Sequence, residues 1–129
     1  MATMAVEAAA QAYREGVGVT VIDPRWVKPL PESLITMARR YKSVVVIEDG
    51  IKHGGIASTV SELFREEGLT IPIHSIGVPL EFIEHSTRNE ILVDLGITVQ
   101  TITRSLVSWS SALKQLELTQ VEPSKIPRE

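Results

Sequence analysis

Apolar and polar positions follow two rhythms along this chain. From about Thr3 to Glu15, Met4, Ala5, Ala8, Ala9 and Ala12 recur at helical spacing, and Gly16 follows as a C-terminal cap. Pro31, suited to a first helical turn, opens a second helix with Leu34, Ile35, Ala38 and Tyr41 on its apolar face. Ile56, Ala57, Val60, Leu63 and Phe64 predict a third amphipathic helix, closed by Gly68. "TRNE", Thr87 to Glu90, has capping-box spacing and starts a short helix that turns Ile91, Leu92 and Leu95 inward before Gly96. Thr98 caps a last helix, whose apolar positions Val99, Ile102, Leu106, Trp109 and Leu113 step by three and four.

Three short runs between these helices are different. Val17 to Asp23, Ser43 to Glu48 and Ile71 to Gly77 are apolar and rich in β-branched residues, and the first two read as strands buried on both faces. Pro72 suits the start or the edge of the third. Strands that alternate with helices predict an α/β fold, here three α/β/α layers around a mostly parallel sheet. The folded domain is expected to cover residues 1–118. A polar tail with two prolines, residues 119–129, is expected to be loose.

Composition narrows the class further. A length of 129 residues suits one domain, and 43% hydrophobic with 22% charged residues suits a packed core. The net charge of −3, with no basic block, argues against a nucleic-acid partner. Without cysteine there are no disulfides or thiolate metal sites. Apolar runs such as Val44 to Ile47 are far too short to span a membrane, and the N-terminus reads as a helix rather than a signal peptide. Cytoplasmic residence is the default expectation.

The stretch "IEDGIKHGGIAS", Ile47 to Ser58, carries the densest candidate chemistry. Gly54 and Gly55 before a helix could present N–H groups to a phosphate, with Lys52 and His53 adding charge. The spacing lacks both the Gly-x-Gly-x-x-Gly pattern and a Gly-Lys-Ser/Thr ending. A sharp turn that brings helix and sheet close is therefore favoured by about three to one. Asp23, Glu48 and Asp49 could converge on a hard cation. Yet no Gly-Asp-Gly start exists here, and Asn89, the sole asparagine, lies forty positions past Asp49, so a thiamine–magnesium motif is rejected. Strand-end carboxylates are more often solvated or paired, here with Arg25 or Lys28. His53, His74 and His85 form no metal-ligand pair, His74 reads as a hydrogen-bonded structural residue, and no serine sits in a nucleophile elbow. The residues supply no self-sufficient catalytic set.

Three segments taken in order say more. "VTVIDPRWVKPLPESL", "VVVIEDGIKHGGIASTVSELF" and "IPIHSIGVPLEFIEHSTRNEILVDLGIT" resemble the C-terminal domain of thiamine-dependent transketolase-like enzymes. Within that group, Gly77-Val78-Pro79, Phe82 to His85 and Asp94 to Ile97 look most like 1-deoxy-D-xylulose-5-phosphate synthases. The resemblance covers roughly residues 4 to 113. One departure is Pro31, where the family commonly has an aspartate that caps the next helix. The resemblance implies a structural, dimer-supporting domain with no catalytic residue of its own. Thiamine diphosphate, Mg²⁺ and the substrate sites would lie on upstream domains, which become the expected partners in a homo-oligomer. Asp23, Arg25, Lys28, Glu48, Asp49, Gly54, Gly55 and His85 are the motif or interface candidates. A 2-oxo-acid dehydrogenase β chain, a transketolase or an anion-binding regulatory module are the alternatives. The resemblance also implies a strand before the first helix, set between Val17–Asp23 and Val44–Glu48. The chain reads as truncated ahead of that helix, so the strand is expected to be missing. Its neighbours would then close up, or a second copy would fill the gap, or the fragment would be marginal.

Overall fold

The computed structural model describes residues 1–120. Its elements are α1 (Ala2–Arg14), α2 (Glu32–Ala38), β1 (Val44–Ile51), α3 (Ile56–Glu66), β2 (Ile73–Val78), α4 (Arg88–Asp94) and α5 (Val99–Gln120). β1 and β2 are parallel, paired from Val44 with Ile73 to Ile47 with Ile76, and an irregularity follows before Ile51 meets Val78. No single described helix is long and apolar enough to cross a membrane.

Strand alternation sorts the apolar residues into two cores. Val44, Val46 and Ile73 face α2 and α3, where they meet Ala38, Val60 and Phe64. Val45, Ile47 and Ile76 face the other way, toward Ala8, Ala12, Leu92, Ile102 and Leu106. The result is the expected α/β/α layering. The alanines of α1 are there for closeness: Ala8 and Ala12 are fully buried, and α1 lies against α5. At the start of α5, Thr98 Oγ1 accepts the Thr101 N–H at 3.2 Å, as the sequence predicts.

Val17–Asp23 departs from expectation. These residues form no strand. Val17 and Val19 still pack on the α1/α5 core, yet the two-stranded sheet contains only β1 and β2. A cavity of about 520 Å³ separates this segment from β1. Without an adjacent backbone to bond, β-branched residues alone cannot make a ladder. The two flanking segments have therefore not closed up.

Smaller corrections have local causes. Pro31 is the N-cap of α2, with extended backbone and no side-chain cap, so it stands one position ahead of the first turn. Tyr41 lies beyond α2, and its hydroxyl is 2.6 Å from Thr20 Oγ1. α5 continues to Gln120, and residues 121–129 of the expected tail lie outside the described residues.

Candidate functional site

The corner between β1 and α3 is built around a buried acid. Alternation along β1 points Glu48 toward α3, and only 5% of the residue is exposed. Its Oε2 accepts the N–H of Ile56 at 2.9 Å, and its Oε1 accepts the N–H of Ala57 at 3.3 Å. These are the opening N–H groups of α3, which have no partner within the helix. The positive end of the helix dipole favours a negative charge at this point. Gly55 is the N-cap of α3 and has no side chain to cap with. A carboxylate from the neighbouring strand takes over that role.

The two glycines serve this arrangement in different ways. Gly54 has φ +78°, a left-handed conformation that glycine adopts freely, and its N–H donates to Ser58 Oγ at 3.1 Å. Gly55 is needed for space. A Cβ there would lie 2.2 Å from Glu48 Oε2 and 2.5 Å from the Ile51 carbonyl oxygen. Gly77 on β2 closes the corner from the side, where a Cβ would meet the Gly50 carbonyl at 3.0 Å and Glu48 Cγ at 3.1 Å.

The neighbouring acid turns outward. Asp49 is exposed and pairs with Arg88 Nε at the start of α4. Arg88 Nη2 also lies 3.6 Å from Met1 Sδ, so the pair ties the beginning of α1 to the carboxyl end of β1. The partner of Asp49 is thus Arg88, not Arg25 or Lys28. Those two lie in the stretch before α2, outside any ion pair among the described residues. Asp23 Oδ1 accepts the Arg25 N–H at 3.1 Å, an Asx turn in which Arg25 takes φ +59°. The Asp-x-Arg pattern makes a local bend. Lys28 is exposed and joined to Pro29 by a cis peptide bond. His85 is exposed in the loop ahead of α4. Glu48, Gly54 and Gly55 therefore come together, while Asp23, Arg25, Lys28 and His85 stay apart from them. Among the described residues, no three His, Cys, Asp or Glu side chains gather to hold a metal.

On the opposite face of the sheet, His74 stacks on Trp109 of α5, with centroids 4.1 Å apart and planes 6° from parallel. Burial lowers the His74 pKa below its ordinary value, favouring the neutral ring. His74 is structural, as the sequence suggests, through this stack rather than a hydrogen bond.

The described residues form a layered α/β/α domain in which a buried strand carboxylate caps a helix start. The chain belongs to the transketolase C-terminal domain family, described as "Transketolase, C-terminal domain" and matched over residues 1–102. It is 42% identical over 115 residues to the 1-deoxy-D-xylulose-5-phosphate synthase of Rhodococcus jostii (strain RHA1), covering 89% of this chain and 18% of that protein. Against the synthase of Mycobacterium sp. (strain KMS) it is 43% identical over 112 residues, covering 87% of this chain and 18% of that protein. A solved structure titled "Split gene transketolase, inactive beta4 tetramer" superposes with a TM-score of 0.76 at 31% identity, covering 88% of this chain and 37% of the other. The chain thus spans 18% of the length of the curated relatives it matches.

Proposed function

We propose that this chain serves as the C-terminal, dimer-supporting domain of a 1-deoxy-D-xylulose-5-phosphate synthase and carries no catalytic group. The whole enzyme would join pyruvate to glyceraldehyde 3-phosphate with loss of carbon dioxide, a transferase step that opens isoprenoid synthesis. Its partners would be the upstream domains, in a cytoplasmic homodimer. Identities of 42 and 43% to synthases support this branch over transketolase. The observation that carries the non-catalytic reading is the Glu48 cap. The Ile56 and Ala57 N–H groups that could grip a phosphate already bond a carboxylate. That leaves them poorly suited to thiamine diphosphate. Asp23 and Asp49 are engaged elsewhere, so the acids do not suit Mg²⁺ either. Both groups would belong to the upstream domains, and the same occupied N–H groups disfavour a regulatory anion site.

Two assays test the reading. The chain alone, given pyruvate, glyceraldehyde 3-phosphate, thiamine diphosphate and Mg²⁺, should form no deoxyxylulose phosphate. Grafted in place of the matching part of the Rhodococcus jostii synthase, it should give an active dimer. Turnover by the chain alone would defeat the proposal, and so would a folded but inactive graft.

A further inference from the structure

The outer edge of β2 is open. β2 has one sheet neighbour, β1. The Val44 N–H donates to the Pro72 carbonyl at 2.9 Å, and Val44 and Val46 stand opposite Ile73 and Ser75. In a parallel ladder that register turns the backbone groups of Pro72, His74 and Ile76 toward β1. Those of Ile73, Ser75 and Gly77 point the other way, and no turn or loop among the described residues bonds them. Edges of this kind are usually guarded by lysine, proline or an inward charge. Ile73–Val78 contains no lysine, no proline and no acid, and all six of its residues are half-buried.

A groove runs along this edge. Ser58, Ser61, Glu62 and Arg65 of α3 form one wall, and Ile73 and Ser75 of β2 form the other. Ser75 Oγ is also the one buried side-chain polar atom without a hydrogen-bond partner among the described residues. A buried hydroxyl left in that state calls for an explanation.

We infer that the open edge of β2 is a two-fold interface with a second copy of this chain, the two β2 strands running antiparallel and centred on Ser75. That register makes Ile73, Ser75 and Gly77 the residues that exchange N–H···O bonds, with facing Cα atoms about 5.5 Å apart. Each Ser75 meets its own counterpart, and a turn about χ1 lets the two hydroxyls bond each other. Each Ile73 meets a Gly77, so bulk faces bare backbone. The helices agree with the strands. Each chain supplies two strands, about 10 Å of sheet, so the two α3 helices come to lie about 10 Å apart, within packing distance. Ser58 and Ser61 are small enough to allow that approach. Antiparallel α3 helices bring each Arg65 toward the other chain's Glu62. Within one chain these two are exposed and 3.9 Å apart, so either can turn outward. An unrelated strand could bond the edge, but the serine pair, the Ile73–Gly77 fit and the reciprocal charges need a self-matched contact. The inference deepens the dimer-supporting role proposed above and rests on it for the identity of the partner.

The full chain has no cysteine, so Ser75→Cys introduces a single thiol. Treated with diamide, it should form a disulfide dimer, because the facing Cα separation suits that bond. Ser110→Cys, in the cavity beside β1, should stay uncrosslinked. In sedimentation the parent should be a reversible dimer. Ser75→Pro removes an outward N–H and spares the β1 ladder, so it should be a folded monomer. Arg65→Glu should weaken the dimer about tenfold, and adding Glu62→Arg should restore it. A parent that is monomeric at millimolar concentration would overturn the inference. So would a folded Ser75→Pro chain that still dimerises, or crosslinking through Ser110→Cys instead of Ser75→Cys. Should Ser75→Pro fail to fold, association unchanged by Arg65→Glu would overturn it equally. An active graft with a monomeric chain would sink this inference alone, whereas a chain that dimerises through Ser75 with a dead graft would sink the enzyme assignment alone.

Discussion

Glu48 and Gly55 occupy one space. The Glu48 carboxylate can cap α3 because Gly55, seven residues later, has no Cβ to collide with it. Gly55→Ala should therefore cost at least about 2 kcal/mol, through overpacking and a displaced cap. Urea denaturation of the variant against the parent measures it. A change below about 0.5 kcal/mol would show that the corner yields easily.

Removing the acid attacks the same corner from the other side. Glu48→Ala leaves the Ile56 and Ala57 N–H groups without their acceptor and should cost about 2 to 3 kcal/mol. Glu48→Gln keeps one acceptor oxygen and should fall between alanine and the parent. Equal midpoints for all three proteins in thermal unfolding would contradict the cap.

Asp49→Asn should behave otherwise, although the two acids are adjacent. The side chains of Arg88 and Asp49 are 53% and 40% exposed, so their ion pair is largely screened. The loss should stay below about 1 kcal/mol and shrink as salt rises. A double-mutant cycle with Arg88→Ala reads the coupling directly.

Acid should loosen α4. Glu90 is held at about 2 by hydrogen bonds from Ser86 and Thr87, below its ordinary value of 4.5. A depressed carboxyl stabilises the fold fully above the unfolded value, and the contribution is lost as pH falls from about 4.5 toward 2. Amide exchange in Arg88–Asp94 should accelerate across that window. Thr87→Ala removes the capping hydroxyl and should cost about 1 kcal/mol at neutral pH. Exchange in α4 that ignores both changes would rule out the capping box as its anchor.

His74 adds a second, milder slope. Its folded pKa lies below the unfolded 6.5, so the unfolded chain takes up the proton first. Its contribution is fully present above pH 6.5 and declines as pH falls through the depressed folded value. His74→Phe keeps a ring against Trp109 and should flatten that part of the stability profile. An unchanged slope would assign it to another group.

The sequence made most of this architecture legible and hid the rest for identifiable reasons. Val44–Ile47 is β-branched throughout and Ile73, Ile76 and Val78 are β-branched in the facing strand, and each strand finds the other as a neighbour. Val17–Asp23 has the same character but lacks a partner backbone alongside, and periodicity cannot report a neighbour. Asp23 and Arg25 look like a charged site, yet an Asx turn absorbs the acid locally. Glu48 was legible as a strand-end acid, but its role was not. The available signal was Gly55 itself: a helix that starts on a residue without a side chain must find its cap elsewhere. Gly77 and Arg88 left no comparable trace, because their contacts cross between elements.

The alternation of side chains along β1 has one more consequence. It fixes which of two adjacent acids enters the interior, and Glu48 reaches the helix with one methylene more than aspartate has. The segment works as a ruler. Slipping it by one residue would present Asp49 to α3 with too short an arm and swing Glu48 toward Arg88. The order Glu-then-Asp is thus a matter of length, even though the two residues carry the same charge.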